Sequence, residues 1–129
     1  MKINFTNIGV VRNEITERHA MPVCGVKSEI HINPEYRKAL FRIDQQTHLW
    51  ILAYLHKGKR NVLTAKPRKS KAPGLAKITR GVFSMHSPDR PNPIALTKVK
   101  LLARKGLVLY VTGLDVIDGT PVLDIKSFK

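Results

Sequence analysis

A proline-rich segment near residue 90 constrains the fold more than any other part of the chain. It reads HSPDRPNPIAL from His86 to Leu96, and its three prolines surround Arg90 and Asn92. Each proline fixes its own φ near about −65°, removes a backbone N–H group and disfavours the helical region for the residue before it. The segment is therefore neither a regular helix nor a central strand. It predicts a stiff loop that carries an arginine and an asparagine side chain.

A second polar segment, DVIDGTPVLDIK, runs from Asp115 to Lys126. Asp118 and Asp124 lie on either side of a Gly-Thr-Pro turn signature, and apolar residues follow the turn. The pattern predicts a polar turn that leads into a buried strand. Each segment alone is an ordinary connector. A rigid loop with arginine and asparagine, together with a carboxylate-bearing turn, indicates a site for a small polar ligand.

Short apolar runs separated by turn residues predict strands along most of the chain. Besides the strand after the Asp118 turn, they lie within Phe5–Arg12, Val26–Ile32, Thr47–His56, Thr97–Ala103 and Leu107–Leu114. A hairpin across Lys105-Gly106 joins the last two, and one short helix is predicted over Glu35–Ile43 after Asn33-Pro34. About six or seven short strands with one helix favour an all-β fold over a doubly wound α/β sheet. We expect a small single-domain β-barrel over residues 1–129.

The run Thr47–His56 is apolar on both faces and predicts the most buried strand. Trp50 and Tyr54 share one face of it. An aromatic ring there can stack a nucleobase, but leucine and isoleucine neighbours favour packing of Trp50 in the core. His31 falls on the polar face of its strand and is expected to be solvated.

The charge balance indicates a polyanionic partner. The chain has 23 Lys and Arg against 9 Asp and Glu, a formal net charge of +14, which exceeds what solubility requires. No acidic residue occurs between Asp44 and Asp89, whereas basic residues recur throughout that segment. The residues predicted to contact phosphates are Lys66, Arg68, Lys69 and Lys71. The alternative is a solvated lysine-rich loop.

Other classes of protein are disfavoured by the composition. The one cysteine, Cys24, has no partner for an internal disulfide or a thiolate zinc site, and the five histidines lack metal-ligand spacing, so no metal is expected. No run approaches the roughly 20 apolar residues of a membrane span, and the first residues do not resemble a secretory signal. We therefore expect no membrane association and a cytoplasmic location.

Four stretches of the chain, in order, resemble the sequence blocks of one family. The stretches IGVVRNE, THLWILAYLHK, RGVFSMHSPDRPNPIALTKVKLL and DVIDGTPVLDIK are similar to those of the TsaA-like tRNA (adenosine N6)-methyltransferases, over Phe5 to Lys126. The resemblance implies a small β-barrel homodimer that uses S-adenosylmethionine, held near the dimer interface, to methylate N6-threonylcarbamoyladenosine beside the anticodon of tRNA. No G-x-G-x-x-G motif is present, so loops on the barrel would hold this cofactor.

The family's pattern, carried over position by position, implies a set of cofactor contacts. They are Pro22, His56, Lys57, His86, Leu96, Asp118, Gly119, Thr120 and Pro121. Asp118 would accept hydrogen bonds from hydroxyl or amino groups, and Leu96 would pack on adenine. Two positions depart from the pattern, since His86 stands where an arginine is common and Val23-Cys24 stands where Arg-Gln is common.

Methyl transfer from sulfur to nitrogen is an in-line displacement, so positioning supplies most of the catalysis. N6 is a poor nucleophile, and a proton acceptor would help; Asp118 and Asp124 are the candidate catalytic residues. Arg90, beside Asn92, would bind a phosphate or a carboxylate of the substrate. Two alternatives stay open, namely local backbone hydrogen bonds for Asp124 and a loop-stabilising role for Arg90. A non-enzymatic basic RNA-binding barrel and a small-molecule methyltransferase also stay open at this point.

Overall fold

The computed structural model describes residues 1–66 and 78–128. The chain forms two compact units. One unit comprises Met1–Tyr54 together with Ala95–Lys129, and the other comprises Leu55–Ile94. The expected one-domain organisation over residues 1–129 stays a prediction.

Eight strands lie in the described residues. In chain order they are β1 (Gly9–Arg12), β2 (Val26–Ile32), β3 (His48–Tyr54), β4 (Thr64–Ala65), β5 (Arg80–Gly81), β6 (Ile94–Lys105), β7 (Val108–Leu114) and β8 (Pro121–Ser127). Six of them close into a barrel in the order β1-β2-β7-β6-β3-β8. The all-β barrel expected from the sequence is therefore confirmed.

Antiparallel pairing holds the barrel together. β1 pairs with β2 and β8, β2 with β7, β3 with β8, and β6 with β7. The predicted hairpin is the β6–β7 pair, and its turn residue Gly106 has a φ of +60°. Between β3 and β6, the Leu101 N–H donates to the Thr47 carbonyl at 2.9 Å. Closure leaves no unpaired edge strand in the barrel.

The barrel core is filled by alternate side chains of its strands. Its most buried members are Val11, Ile30, Leu49, Ile51, Ala53, Val99, Leu109, Val111, Leu114 and Val122. Burying one aliphatic side chain of this size contributes about 1.5 to 3 kcal/mol. The alternation predicted for β2 is confirmed, since Ser28, Ile30 and Ile32 are buried and the residues between them are not. His31 is half-exposed beside Glu29, as expected.

Strand β3 differs from the prediction in its outer face. Leu49, Ile51 and Ala53 are buried, but the residues between them are only half-buried. The predicted core position of Trp50 is wrong, because Trp50 points outward and packs against the Phe128 ring at a centroid distance of 5.1 Å. A strand of a closed barrel has one inward face only, so its second apolar face needs cover from elsewhere.

The predicted helical segment is present and is wound as a 3-10 helix. It covers Pro34–Leu40, with a kink at Tyr36, and a shorter 3-10 turn follows at Ile43–Gln45. Asn33 precedes the helix without a side-chain cap; its side chain donates to the Asn7 carbonyl instead.

The second unit interrupts the barrel sequence between β3 and β6. Its regular structure in the described residues is the two-stranded β4–β5 sheet and a 3-10 turn at Val82–Ser84. Most of its other described residues are loop, including the proline-rich segment predicted to be one.

Two kinds of feature are absent from the described residues. No helix in residues 1–66 and 78–128 is long and apolar enough to span a membrane. Within the same residues, no three side chains among His, Cys, Asp and Glu form a group that could hold a metal ion.

The two glycine turns at Gly25 and Gly106 give a stability prediction. Both have positive φ, of +74° and +60°, but a Cβ at Gly25 would lie 2.5 Å from the Gly113 carbonyl carbon, whereas one at Gly106 would meet open space. We expect Gly106→Ala to lower the free energy of unfolding by about 1 to 2 kcal/mol. Gly25→Ala should lower it considerably further, because backbone atoms must move. Urea unfolding measures both, and equal losses would contradict the close approach at Gly25.

Candidate functional site

The turn between β7 and β8 is held against the chain that follows β1. One Asp118 carboxylate oxygen accepts a hydrogen bond from the Asn13 N–H at 3.1 Å, and the other lies 3.8 Å from an Arg12 guanidinium nitrogen. The Asp118 N–H donates to the Ile15 carbonyl at 2.8 Å. The Asp118 side chain is still 31% exposed. Since a carboxylate accepts several hydrogen bonds, Asp118 retains capacity for another donor.

The remaining polar groups of this turn are used within the barrel. Thr120 is buried, and its hydroxyl donates to the Ile117 carbonyl at 2.6 Å. The Thr120 N–H donates to the same carbonyl, and the Gly119 N–H donates to the Val11 carbonyl at 2.8 Å. These bonds stabilise the turn. The partly exposed carboxylate of Asp118, unlike these N–H groups, therefore keeps capacity for a further hydrogen bond.

Other predicted site residues of the barrel lie at the same end. Strands β1, β3 and β7 end there, and β2, β6 and β8 begin there. Pro22 precedes β2, Leu96 is near the start of β6, and Pro121 begins β8. Leu96 is 51% exposed. The Thr97 hydroxyl donates to the Asp115 carboxylate at 2.7 Å and ties the start of β6 to the residue after β7. This end of the barrel brings an exposed apolar side chain and two carboxylates together.

Asp124 lies away from this end. It is four residues into β8, about 10 Å beyond Pro121 along an extended strand. Its carboxylate accepts from the Ile125 N–H at 2.9 Å and lies 3.2 Å from the Lys126 ammonium. It lines a groove of about 380 Å³ near Leu40, at the other end of the barrel. The structure does not bring the two candidate proton acceptors together.

In the second unit, Arg90 holds the proline-rich loop in shape. One guanidinium nitrogen donates to the Met85 carbonyl at 2.9 Å and to the Ser87 carbonyl at 3.2 Å. The Arg90 N–H donates to the Lys59 carbonyl at 2.8 Å. This is the loop-stabilising arrangement that the sequence left open beside a substrate contact.

Asn92 and the neighbouring acidic residue join the loop to the segment after β3. The Arg60 guanidinium donates to the Asn92 side-chain oxygen at 3.0 Å and to the Pro91 carbonyl at 2.9 Å. The Asp89 carboxylate accepts from the Lys59 N–H at 2.8 Å. The loop is stiff because side chains bind its carbonyls, in addition to its prolines.

The other predicted contacts of the second unit are exposed. They are His56, Lys57, His86 and Lys66. Arg68, Lys69 and Lys71 lie outside the described residues. The predicted roles of these residues therefore rest on the sequence.

Three residues hold these segments in place, and the sequence did not predict this role for them. Asn13 donates to the Ser28 hydroxyl at 3.0 Å and to the Val116 carbonyl at 2.9 Å, and its side-chain oxygen accepts from the Ile15 N–H. Arg12 and Arg60 are the other two. Arg12 and Asn13 belong to the stretch IGVVRNE, but a polar residue at a strand end does not reveal its distant partners.

The fold and site define a class of protein: a closed six-stranded β-barrel that presents polar side chains on loops at one end. Residues 10–129 match the family described as the tRNA-methyltransferase O N-terminal domain. The chain belongs to this family.

Individual relatives agree with this assignment. The chain is 42% identical to a probable S-adenosyl-L-methionine-binding protein of Methanothermobacter thermautotrophicus, over 99% of this chain and 91% of the relative. It is 33% identical to the tRNA (adenine(37)-N6)-methyltransferase of Escherichia coli, over 96% of this chain and 57% of the relative. A crystal structure of TrmO matches with a TM-score of 0.78 and 28% identity, over all of this chain and 58% of the TrmO chain. The chain thus spans little more than half of the two methyltransferase relatives.

The loop role of Arg90 can be tested directly. Arg90→Gln removes the nitrogen that bonds both carbonyls, so the Met85 amide and the amide of residue 90 should exchange hydrogen about tenfold faster. Lys59→Gln is the matched control, because Lys59 contributes to the loop through its backbone and the variant removes the same charge. Hydrogen exchange resolved by residue measures both. Unchanged exchange in Arg90→Gln would show that the side-chain bonds of Arg90 do not stiffen the loop.

Proposed function

We propose that this chain is an S-adenosylmethionine-dependent methyltransferase that methylates N6 of a threonylcarbamoyladenosine in tRNA. The match of residues 10–129 to the tRNA-methyltransferase O N-terminal domain carries the proposal. The name of the Methanothermobacter relative supports the cofactor, and the name of the Escherichia coli relative supports the reaction. The rival function, a non-enzymatic RNA-binding barrel, shares the charge but lacks this support.

The end of the barrel that carries the Asp118 turn has groups suited to contact part of the cofactor. The cofactor presents an adenine face, ribose hydroxyls and a charged amino-acid end, and a site needs apolar surface beside hydrogen-bond acceptors for the first two. Leu96 exposes such an apolar surface, and Asp118 keeps a partly exposed carboxylate. Pro22 and Pro121 lie at the same end and are proposed to complete the contact. Thr120 and Gly119 act by holding the turn.

His56, Lys57 and His86 remain proposed cofactor contacts in the second unit. Each is exposed, and each can donate a hydrogen bond to a carboxylate. His86 offers one donor at a time to such a group, where an arginine would offer a bidentate pair.

The proposed reaction is a displacement that the protein serves mainly by positioning. The cofactor supplies a methyl group on a positively charged sulfur, and its transfer to N6 releases one proton. We assign the acceptor of that proton to Asp118, because Asp118 lies at the same end of the barrel as Leu96. Asp124 lies four residues into β8, about 10 Å beyond Pro121, and is the weaker candidate. The bonds from Asn13 and Arg12 hold the Asp118 carboxylate in a fixed orientation.

The substrate proposal depends on charge. A net charge of +14 favours a polyanion such as tRNA, and counterion release strengthens such binding without reading sequence. Arg90 and Asn92 stay proposed substrate contacts, although part of their bonding capacity is used within the loop. The basic residues proposed to contact the phosphates are Lys66, Arg68, Lys69 and Lys71.

We also propose that the chain is a homodimer in the cytoplasm. Val23 and Leu96 are exposed apolar side chains of the barrel, with exposed fractions of 66% and 51%. Exposed apolar surface favours association, and a twofold dimer is the commonest closed assembly. Light scattering at micromolar concentration should give twice the mass of one chain, and a monomer that is fully active would contradict the proposal.

A pair of leucine variants on one strand tests the cofactor site. Leu96→Ala removes apolar contact from the proposed adenine surface and should weaken S-adenosylmethionine binding about fivefold, an effect of roughly 1 kcal/mol. Leu102→Ala is the control, since Leu102 is similarly exposed on the same strand, β6, six residues farther along. Titration calorimetry measures binding, and mass spectrometry of digested tRNA measures N6-methylated adenosine.

The outcomes of this test distinguish an error in the proposed cofactor site from an error in the proposed methyltransferase function. Equal effects of the two leucine variants would remove Leu96 from the cofactor site. Absence of both cofactor binding and methyl transfer in the unmodified protein, at millimolar cofactor, would contradict the methyltransferase function itself.

A further inference from the structure

An exposed aromatic side chain lies at the barrel end opposite the Asp118 turn. Phe41 directly follows the 3-10 helix Pro34–Leu40, and 76% of its surface is exposed. Its neighbour Leu40 has only 3% of its surface exposed. Leu40 therefore anchors the backbone here, while the Phe41 ring lies in solvent. The proposed methyltransferase chemistry makes no use of this ring.

The next residue adopts an unusual backbone conformation that keeps a cation on the ring. Arg42 has a φ of +65° and a ψ of +16°, the left-handed region that residues other than glycine seldom occupy. Its guanidinium carbon lies 5.1 Å from the centre of the Phe41 ring, within cation–π distance. The conformation turns the chain sharply and places Phe41 and Arg42 side by side on the surface.

Basic side chains surround the ring. Arg37, Lys38, Phe41 and Arg104 line a groove of about 410 Å³. Arg104 is held in place, because its guanidinium donates to the Leu40 carbonyl at 3.2 Å and to the Gly106 carbonyl at 3.0 Å. Arg37 and Lys38 are exposed and lie in the last turn of the 3-10 helix.

No carboxylate is found among the described residues that line this groove. Glu35 and Asp44 are the acidic residues nearest to Phe41 in sequence, and neither belongs to the lining. We call the four lining residues the Phe41 groove. Phe41 also lines the neighbouring groove that contains Asp124, whose carboxylate lies 3.2 Å from the Lys126 ammonium. An aromatic ring with cations beside it matches the surface of a single-stranded nucleic acid, in which bases alternate with phosphates.

The location of the Phe41 groove suits a second contact with a long substrate. Leu40 and Arg104 lie where β3 begins and β6 ends, at the barrel end opposite the Asp118 turn. A strand of seven residues such as β3 spans roughly 20 Å. A tRNA stem–loop is longer than this, so one RNA molecule can reach both ends of the barrel.

We propose that the Phe41 groove binds an unpaired nucleotide of the RNA substrate, away from the base that is methylated. The base stacks on Phe41, and Arg37, Lys38 and Arg104 bind the adjoining phosphates. The choice of tRNA as the RNA rests on the proposed function, whereas the groove's preference for a stacked nucleotide rests on its own side chains.

Ring variants at position 41 provide the first test. Phe41→Leu keeps an apolar side chain but removes the stacking face, and it should weaken binding of a tRNA transcript at least about fivefold. Phe41→Trp should restore the affinity, and its fluorescence should be quenched on addition of RNA beyond the change seen with Trp50 alone in the unmodified protein. Phe5→Leu is the matched control, because Phe5 is 75% exposed on the same unit.

Charge variants provide the second test. Arg37→Gln with Lys38→Gln should reduce the slope of log affinity against log salt by about 1.4 to 1.8, the value for two phosphate contacts. Lys2→Gln with Lys27→Gln removes the same net charge from exposed positions outside the groove and should leave the slope nearly unchanged. Thermal unfolding of each variant confirms that the barrel is intact.

The results distinguish the groove from the proposed reaction. If methyl transfer persists and both groove variants bind RNA like their controls, the Phe41 groove is not an RNA site. If the groove variants lose RNA affinity while no methyl transfer is found in any form, the groove proposal stands and the methyltransferase proposal fails. Cofactor binding, measured separately, should be equal in all these variants, and its loss in Phe41→Leu would overturn the assignment of the groove to RNA.

Discussion

The pairing that closes the barrel is the constraint on which the rest of the structure depends. β1 and β8 share a register of only two residue pairs, Gly9 with Val122 and Val10 with Pro121. The pairing is extended past the strands by the bonds of the Asp118 turn to the chain after β1. Without them, two edges would be open to solvent and to other chains. The turn whose carboxylate is the proposed ligand contact therefore also completes the barrel, and we expect substitution of Asp118 to lower stability.

This dual use explains how a barrel holds a nucleotide-like ligand without a helix terminus. In a doubly wound sheet, free backbone amides of a glycine-rich turn bind the ligand. Here the N–H groups of Asp118, Gly119 and Thr120 already donate to backbone carbonyls, those of Ile15, Val11 and Ile117. In the proposed site, side chains and apolar surface such as the exposed Leu96 would then supply the recognition. Stiffness comes from bonds such as those of Arg90 to its own loop, and not from a helix.

The sequence predicted features that depend on local chemistry and missed those that depend on distant partners. The proline loop, the Asp-Gly turn, the β6–β7 hairpin and the alternation in β2 follow from φ restriction and side-chain periodicity, and the structure confirms them. The position of Trp50 was wrong, because apolar neighbours predict burial but do not say that barrel closure leaves one face of β3 outside. The Asn13–Asp118 bond joins residues 105 positions apart, and no periodicity encodes such a pair. The separation of Asp124 from Asp118 likewise has no signature in the sequence, since Asp118 lies in the turn before β8 and Asp124 is the fourth residue of that strand.

The distribution of charge on the chain is compatible with two proposed ligands of opposite charge. A sulfonium cofactor is repelled by a strongly basic surface, whereas RNA requires one. At the loop end of the barrel, Asp115 and Asp118 supply carboxylates and Arg12 lies against Asp118. At the other end, Arg37, Lys38 and Arg104 line the Phe41 groove. The two ends are roughly 20 Å apart, and charges are screened beyond about 8 Å at physiological salt. Cations at the groove can therefore attract phosphate with little effect on the cofactor, so an excess of +14 need not conflict with binding a positively charged methyl donor.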